Sequence, residues 1–202
     1  MQAPTAPSAM FKTIFLTALT LAIALGGGAG SVWLALERNF GFGTVSIGGW
    51  TAYPSRGTAS ADPYTKARFS READLALGQG EGLTFFATRD AAGNILRFEC
   101  DYRLEGSLPP ARFWTLHVRD SDGVVSRPDG DRADALHSYA LLRDQDNAVT
   151  TTVSRFPAPG NWLATKGTGE MLLVLTLYDT SIASSARIEE VELPRVVPQG
   201  CQ

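Results

Sequence analysis

The chain has 202 residues, 44% of them hydrophobic, with 18 basic and 21 acidic side chains and a formal net charge of −3. That balance, with no Lys/Arg block anywhere, excludes the basic face that nucleic-acid binding requires. A hydrophobic share near the globular norm excludes both a disordered chain and a polytopic membrane protein.

Residues 1–12 are a short polar leader ending in Met10-Phe11-Lys12, expected on the cytoplasmic side, with Met10 as an alternative start. The next run, 13–36, carries no charge. It exceeds the roughly 20 residues an α-helix needs to cross the hydrocarbon and reads as a transmembrane signal-anchor helix. Lys12 precedes it and Glu37 offsets Arg38 behind it, which favours the N-terminus inside and the bulk of the chain outside. Trp33, near the outer end, suits the interfacial aromatic belt. The alternative is a secretory signal cleaved after Gly28-Ala29-Gly30, which would leave Val32-Trp33-Leu34-Ala35-Leu36 at the new terminus. A buried helix of a soluble protein would carry a polar stripe, and this run has none.

Residues 37–61, rich in Gly, Ser and Thr, read as a linker, with Gly48 to Tyr53 placed against the domain or the membrane surface. The remaining 62–202 are expected to form one domain on the periplasmic side, a length that suits a single core. Asp62-Pro63 is a helix start, Asp as N-cap and Pro at the first helical position, and the helix is expected over 63–73.

From Leu83 onward the pattern is strands and turns. Leu83–Thr88 has strand composition, and Asp90-Ala91-Ala92-Gly93-Asn94 is a turn. Ile95–Leu104 alternates, with Leu96, Phe98, Cys100, Tyr102 and Leu104 on the apolar side, and reads as one long strand. Ala111–Arg119 sets Trp114, Leu116 and Val118 on one side and Phe113, Thr115, His117 and Arg119 on the other. Ser121-Asp122-Gly123 turns the chain into Val124-Val125. Leu136–Leu142 and Ala148–Ser154 read as a strand pair around 144–147, with a helix over 133–142 as the alternative. Glu170–Asp179 alternates little and is mostly apolar, the mark of a central, doubly covered strand. Arg187–Leu193 is the last expected strand. The fold class is therefore mainly β: a β-sandwich or jelly-roll-like domain with one short N-terminal helix, behind a single transmembrane helix.

Asp62-Pro63-Tyr64, Glu81-Gly82, Asp90 with Gly93-Asn94, Leu108-Pro109-Pro110-Ala111-Arg112-Phe113-Trp114-Thr115, Asn161-Trp162-Leu163 and Leu177-Tyr178-Asp179 occur in an order and spacing that resemble the bacterial domain-of-unknown-function family numbered twelve-fourteen. The resemblance covers Asp62 to Asp179. Family members often carry a second uncharacterised module ahead of this one, and here a membrane-type helix stands in its place. The resemblance implies a jelly-roll-like fold and neither a reaction nor a cofactor.

Cys100 and Cys201 are the two cysteines. In a periplasmic domain they are expected to pair, against the alternative of a buried Cys100 and an exposed terminal thiol. Arg112 and Trp114 would build an aromatic-walled pocket with a charge at its mouth, for a sugar or carboxylate ligand; the competing reading puts Trp114 in the core and Arg112 in an ion pair. Glu81 is an isolated acid at a strand entrance. Glu99 and Asp101 lie two apart on one strand face, whereas glycosidase carboxylates face each other from separate elements. Asp120, Asp122, Gly123, Asp129 and Asp131 hint at a calcium loop that lacks its closing Glu. Asn161-Trp162, behind Pro157-Ala158-Pro159-Gly160, would be a ligand platform or a cap on the sandwich, and Tyr178 completes the ligand-binding candidates. His117 reads as a surface residue, and His137 beside Ser138 is too close in sequence for a dyad. No nucleophile elbow, zincin or Walker motif is present, and no cofactor or metal is expected.

The sequence thus implies a protein of the bacterial inner membrane with a periplasmic binding or assembly module, its partner an envelope protein or glycan and not nucleic acid. The alternative is a small carbohydrate-active or other hydrolase using Glu81 or Glu99/Asp101.

Overall fold

The computed structural model describes residues 7–37, 43–72, 77–130, 132–143, 148–184, 188 and 191–201. The chain divides into two compact units, Met1–Phe42 and Gly43–Gln202.

The first unit holds helix α1, Pro7–Glu37. It begins six residues ahead of the expected start, because Pro7 is compatible with a first helical position and the polar residues after it do not break the turn. Its Met10–Ala35 stretch is long and apolar enough to cross a membrane. Large apolar side chains such as Phe11, Leu16, Ile23 and Trp33 are exposed on it. The hydroxyls of Thr17 and Ser31 donate to the carbonyls of Thr13 and Gly28 at 2.8 Å, so these polar groups are satisfied within the helix.

The second unit is a sandwich of two sheets. Six strands form the large sheet in the order β1 (Val45–Ile47), β2 (Trp50–Ala52), β3 (Gly82–Ala87), β9 (Met171–Tyr178), β5 (Phe113–Asp120) and β6 (Ala135–His137). The small sheet runs β10 (Arg195–Cys201), β4 (Cys100–Glu105), β7 (Thr151–Ser154) and β8 (Asn161–Ala164). Pairing is antiparallel except for β7 with β8. One core joins the inward residues of both sheets: Trp50, Phe85, Trp114, Leu116 and Leu175 from the large one, Tyr102, Leu104, Val153, Leu163 and Val196 from the small one.

Helix α2, Pro63–Glu72, starts as expected, with the Thr65 amide donating to the Asp62 carboxylate at 3.0 Å. Strand β9 lies between β3 and β5 and is buried on both faces over most of its length.

Four expectations are corrected. Part of the 37–61 segment is sheet: β1 and β2 form a hairpin around Gly48-Gly49, and the buried Trp50 indole donates to the Pro194 carbonyl at 2.7 Å. The 95–104 stretch is not one strand. It bends at Phe98-Glu99, where the Cys100 amide donates to Arg97 O, and crosses from a bridge beside the large sheet into β4. The bend spans two residues, so the alternation survives it and all five even-side residues are buried. Residues 135–137 and 151–154 do not pair with each other but join opposite sheets, and no helix forms over 133–142; the 144–147 connection lies outside the described residues. The last strand is Arg195–Cys201, displaced from 187–193, of which 187, 189 and 190 lie outside the described residues. It sits at a sheet edge, where Pro198 and a bulge before Gly200 cost little pairing.

Cys201 lies directly opposite Cys100 in the β10–β4 register, and the two form a disulfide that closes the edge strand onto β4.

Candidate functional site

Alternation fixes what the large sheet turns away from the core. Trp114, Leu116 and Val118 of β5 point inward, so Phe113, Thr115, His117 and Arg119 point outward. Register aligns them with the neighbouring strands in rows. Phe113 lies opposite Tyr178. Thr115 lies opposite Thr176, which lies opposite Thr84, and His137 of β6 faces Thr115 from the other side. His117 lies opposite Val174, which lies opposite Phe86. The middle row is a line of three hydroxyls and an imidazole, with the Thr84 and Thr176 oxygens 3.3 Å apart.

Helix α2 packs against the segment after β2 that walls one side of this face. Its Phe69 ring stands edge-on to Tyr53 at 5.8 Å, and Tyr53 meets Phe86 at 6.3 Å. The guanidinium of Arg56 lies 3.3 Å from the centre of the Phe69 ring, a cation–π contact in a site where Arg56 is only 8% exposed. Beside this segment lies a cleft of about 300 Å³, floored by the threonine row and walled by Tyr53, Arg56, Phe86, His117, Arg119 and Tyr178. That volume is at the lower end of the range of small-molecule sites, roughly 300–1,000 Å³.

Two of the side chains that line the cleft are cationic. Arg56 and Arg119 line it, and no carboxylate stands among the described residues that do. Arg119 Nε donates to His117 Nε2 at 3.1 Å, which puts the proton of a neutral His117 ring on Nδ1. Hydroxyls that donate and accept, guanidiniums that donate in a fixed fork and aromatic walls together suit a small anion bearing hydroxyl groups.

The predicted site residues scatter. Tyr178 lines this cleft. Trp114 does not; it is 4% exposed in the core. Arg112 sits in a separate shallow depression with Gln79, Pro110 and Asp179, paired to Asp179 at 3.4 Å in solvent. Glu81 accepts from the Gly78 amide at 2.9 Å and closes the turn before β3. Glu99 accepts from the Gly169 amide at 2.7 Å and pairs with Arg97 at 3.3 Å. The Gly169 bond, aided by Arg97, holds its carboxyl below the ordinary range against the opposing effect of burial. Asp101 lies on the outer face of the small sheet. Asn161 clamps backbone, accepting from Leu142 N at 2.7 Å and donating to Leu142 O and Thr150 O. Trp162 donates to Ser154 and carries the Arg132 guanidinium 5.6 Å from its ring centre. Asp120 and Asp122 belong to a hairpin turn and Asp129 pairs with Lys166 at 2.6 Å; Asp131 lies outside the described residues.

Of the residues that line the cleft, sequence reasoning did not single out Arg56, Arg119 or the threonine row, and it read His117 as a surface residue, as β5 places it. The outward set of β5 was visible in the alternation, and matching it with the outward threonines of the other two strands would have exposed the row. Arg56, in the assumed linker, gave no signal.

The family model described as Protein of unknown function (DUF1214) matches residues 81–182, half of the chain, and the chain belongs to this family. No curated protein matches the sequence. Among solved structures, the VPA0106 protein from Vibrio parahaemolyticus is similar at 17% identity and a TM-score of 0.56, over 70% of this chain and 36% of that protein. A putative uncharacterized protein from Burkholderia cenocepacia matches at 16% identity and a TM-score of 0.42, over 92% of this chain and 52% of that one. The chain thus spans between a third and about half the length of these proteins. The first likeness extends to the fold alone.

Proposed function

We propose that this member of the DUF1214 family is a non-enzymatic binding module, held at the bacterial inner membrane by α1 with its β domain in the periplasm, and that the outer cleft of the large sheet takes a small anionic ligand rich in hydroxyl groups. The observation that carries the reading is the floor of Thr84, Thr176 and Thr115 set between Arg119 and aromatic walls. The membrane assignment is supported by the length and apolarity of α1. The Cys100–Cys201 disulfide supports an oxidising compartment. Tethering keeps such a module close to an envelope ligand and raises its effective concentration. The hydrolytic alternative lacks comparable support, because the Glu81 and Glu99 carboxylates are each bonded to a backbone amide.

The test is calorimetry on the full chain in detergent micelles, with galacturonate and with galactose. Galacturonate is expected to bind, galactose at least about tenfold more weakly, and Arg119→Ala to remove the difference, as loss of a charge-assisted hydrogen bond requires. Equal binding of both sugars, or no binding of either, would contradict the reading.

A further inference from the structure

The outward aromatic rings continue past the cleft. Tyr178, which lines it, lies 5.6 Å from Phe113 with an interplanar angle of 36°, and Phe113 lies 5.5 Å from Tyr139 at 34°. His137 joins at 5.9 Å from Phe113. The near-equal spacings and tilts make a stepped track leading from the cleft. Cross-strand packing explains part of it, since Phe113 and Tyr178 are paired residues on adjacent strands. It does not explain Tyr139, which follows β6, is 76% exposed and buries little of its ring. The Tyr139 hydroxyl donates to the Arg112 carbonyl at 3.3 Å, which fixes the ring at the end of the track.

We infer that the occupant is an acidic oligosaccharide, with one uronate unit in the cleft and the next units lying along Phe113 and Tyr139; this rests on the cleft being the binding site. Three features fit such a chain. Sugar rings present C–H faces that pack on aromatic planes, and Tyr and Phe offer that area at small entropic cost. Ring hydroxyls need partners that both donate and accept, which the threonine row supplies. A uronate carboxylate matches the forked donors of the Arg119 guanidinium, which lines the cleft. The cleft alone holds little more than one sugar ring, so units beyond the first would meet the track.

The experiment compares galacturonate, its trisaccharide and a neutral galactose trisaccharide on the full chain in micelles, for the wild type, Tyr139→Ala and Tyr139→Phe. The acidic trisaccharide is expected to bind about tenfold tighter than the monosaccharide. Tyr139→Ala should abolish that gain and leave monosaccharide affinity unchanged, while Tyr139→Phe, which keeps the ring, should retain most of it. A trisaccharide that binds no tighter than the monosaccharide overturns the inference while leaving the cleft reading standing. So does a Tyr139→Ala variant that loses nothing, or that loses both ligands equally. Equal affinity for the neutral trisaccharide overturns its acidic character. A monosaccharide that does not bind overturns the cleft reading, and this inference with it.

Discussion

On the large sheet the outward positions of β3, β9 and β5 include threonines, aromatic rings, a histidine and an arginine beside the aliphatic Leu172 and Val174. On the small sheet the outward positions of β4 are Asp101, Arg103 and Glu105, with Arg103 and Glu105 paired in solvent at 3.5 Å. The inward faces obey one rule, since both feed Leu, Val and aromatic residues into the same core. The charged face of β4 is what water alone asks of an exposed strand, and its ion pair adds little. The large sheet departs from that pattern, and the departure is what singles out its outer face as the candidate site. The sheets also differ in how their edges are held: β10, an edge strand, is bonded covalently to β4.

The strongest challenge to this comparison is a matched pair on β5. Trp114→Ala removes an inward ring and is expected to cost about 3–5 kcal/mol in chemical denaturation. Thr115→Ala, its outward neighbour, should cost less than about 1 kcal/mol and act instead on galacturonate binding. If the two cost the same, the division into a core face and a functional face fails.

The disulfide tests the edge. Cys201→Ser opens a loop of about 100 residues and should cost about 3–4 kcal/mol, where the chain-entropy model would allow somewhat more. Amide exchange should accelerate first in β10 and leave β9 protected. Alkylation of native membranes without reductant should modify neither cysteine; ready labelling of both would contradict the disulfide and the periplasmic assignment.

A smaller effect separates two turns of the same design. Asp90 and Asp120 each accept two backbone amides, from Ala92 and Asn94 and from Asp122 and Val124, with a glycine of positive φ at the fourth position. Only the Asp90 turn reaches the other sheet, through the Ala91 amide to Val196 O at 2.7 Å, and Asp90 is 5% exposed. Asp90→Ala should therefore cost about 2 kcal/mol and Asp120→Ala about 1.

The smallest effect concerns acid. The Glu99 carboxyl, held low chiefly by the Gly169 amide, contributes stability that is present above the ordinary carboxylate range and lost as pH falls through its lowered value. In Glu99→Gln that part of the acid limb should be missing, read as a shallower fall of the melting temperature below pH 5.

Much of the sandwich was legible. Alternation identified the buried sides of β4 and β5 and the doubly covered β9, and Asp62-Pro63 marked α2. The bend at Phe98-Glu99 was not, because a two-residue corner preserves parity. The β1–β2 hairpin was hidden by its composition, although Gly48-Gly49 before Trp50 is a hairpin signal. The C-terminal strand was obscured by Pro194, Pro198 and Gly200, tolerable only at an edge that the sequence does not announce. The cleft was least legible, since its floor takes one threonine from each of three strands and joins them only through register.

The most direct test of the account is threonine-methyl NMR of the full chain in micelles, titrated with galacturonate. Shifts are expected at Thr84, Thr115 and Thr176 on the large sheet and none at Thr152 on β7. Shifts centred on Thr152, or none at the three row threonines, would contradict it.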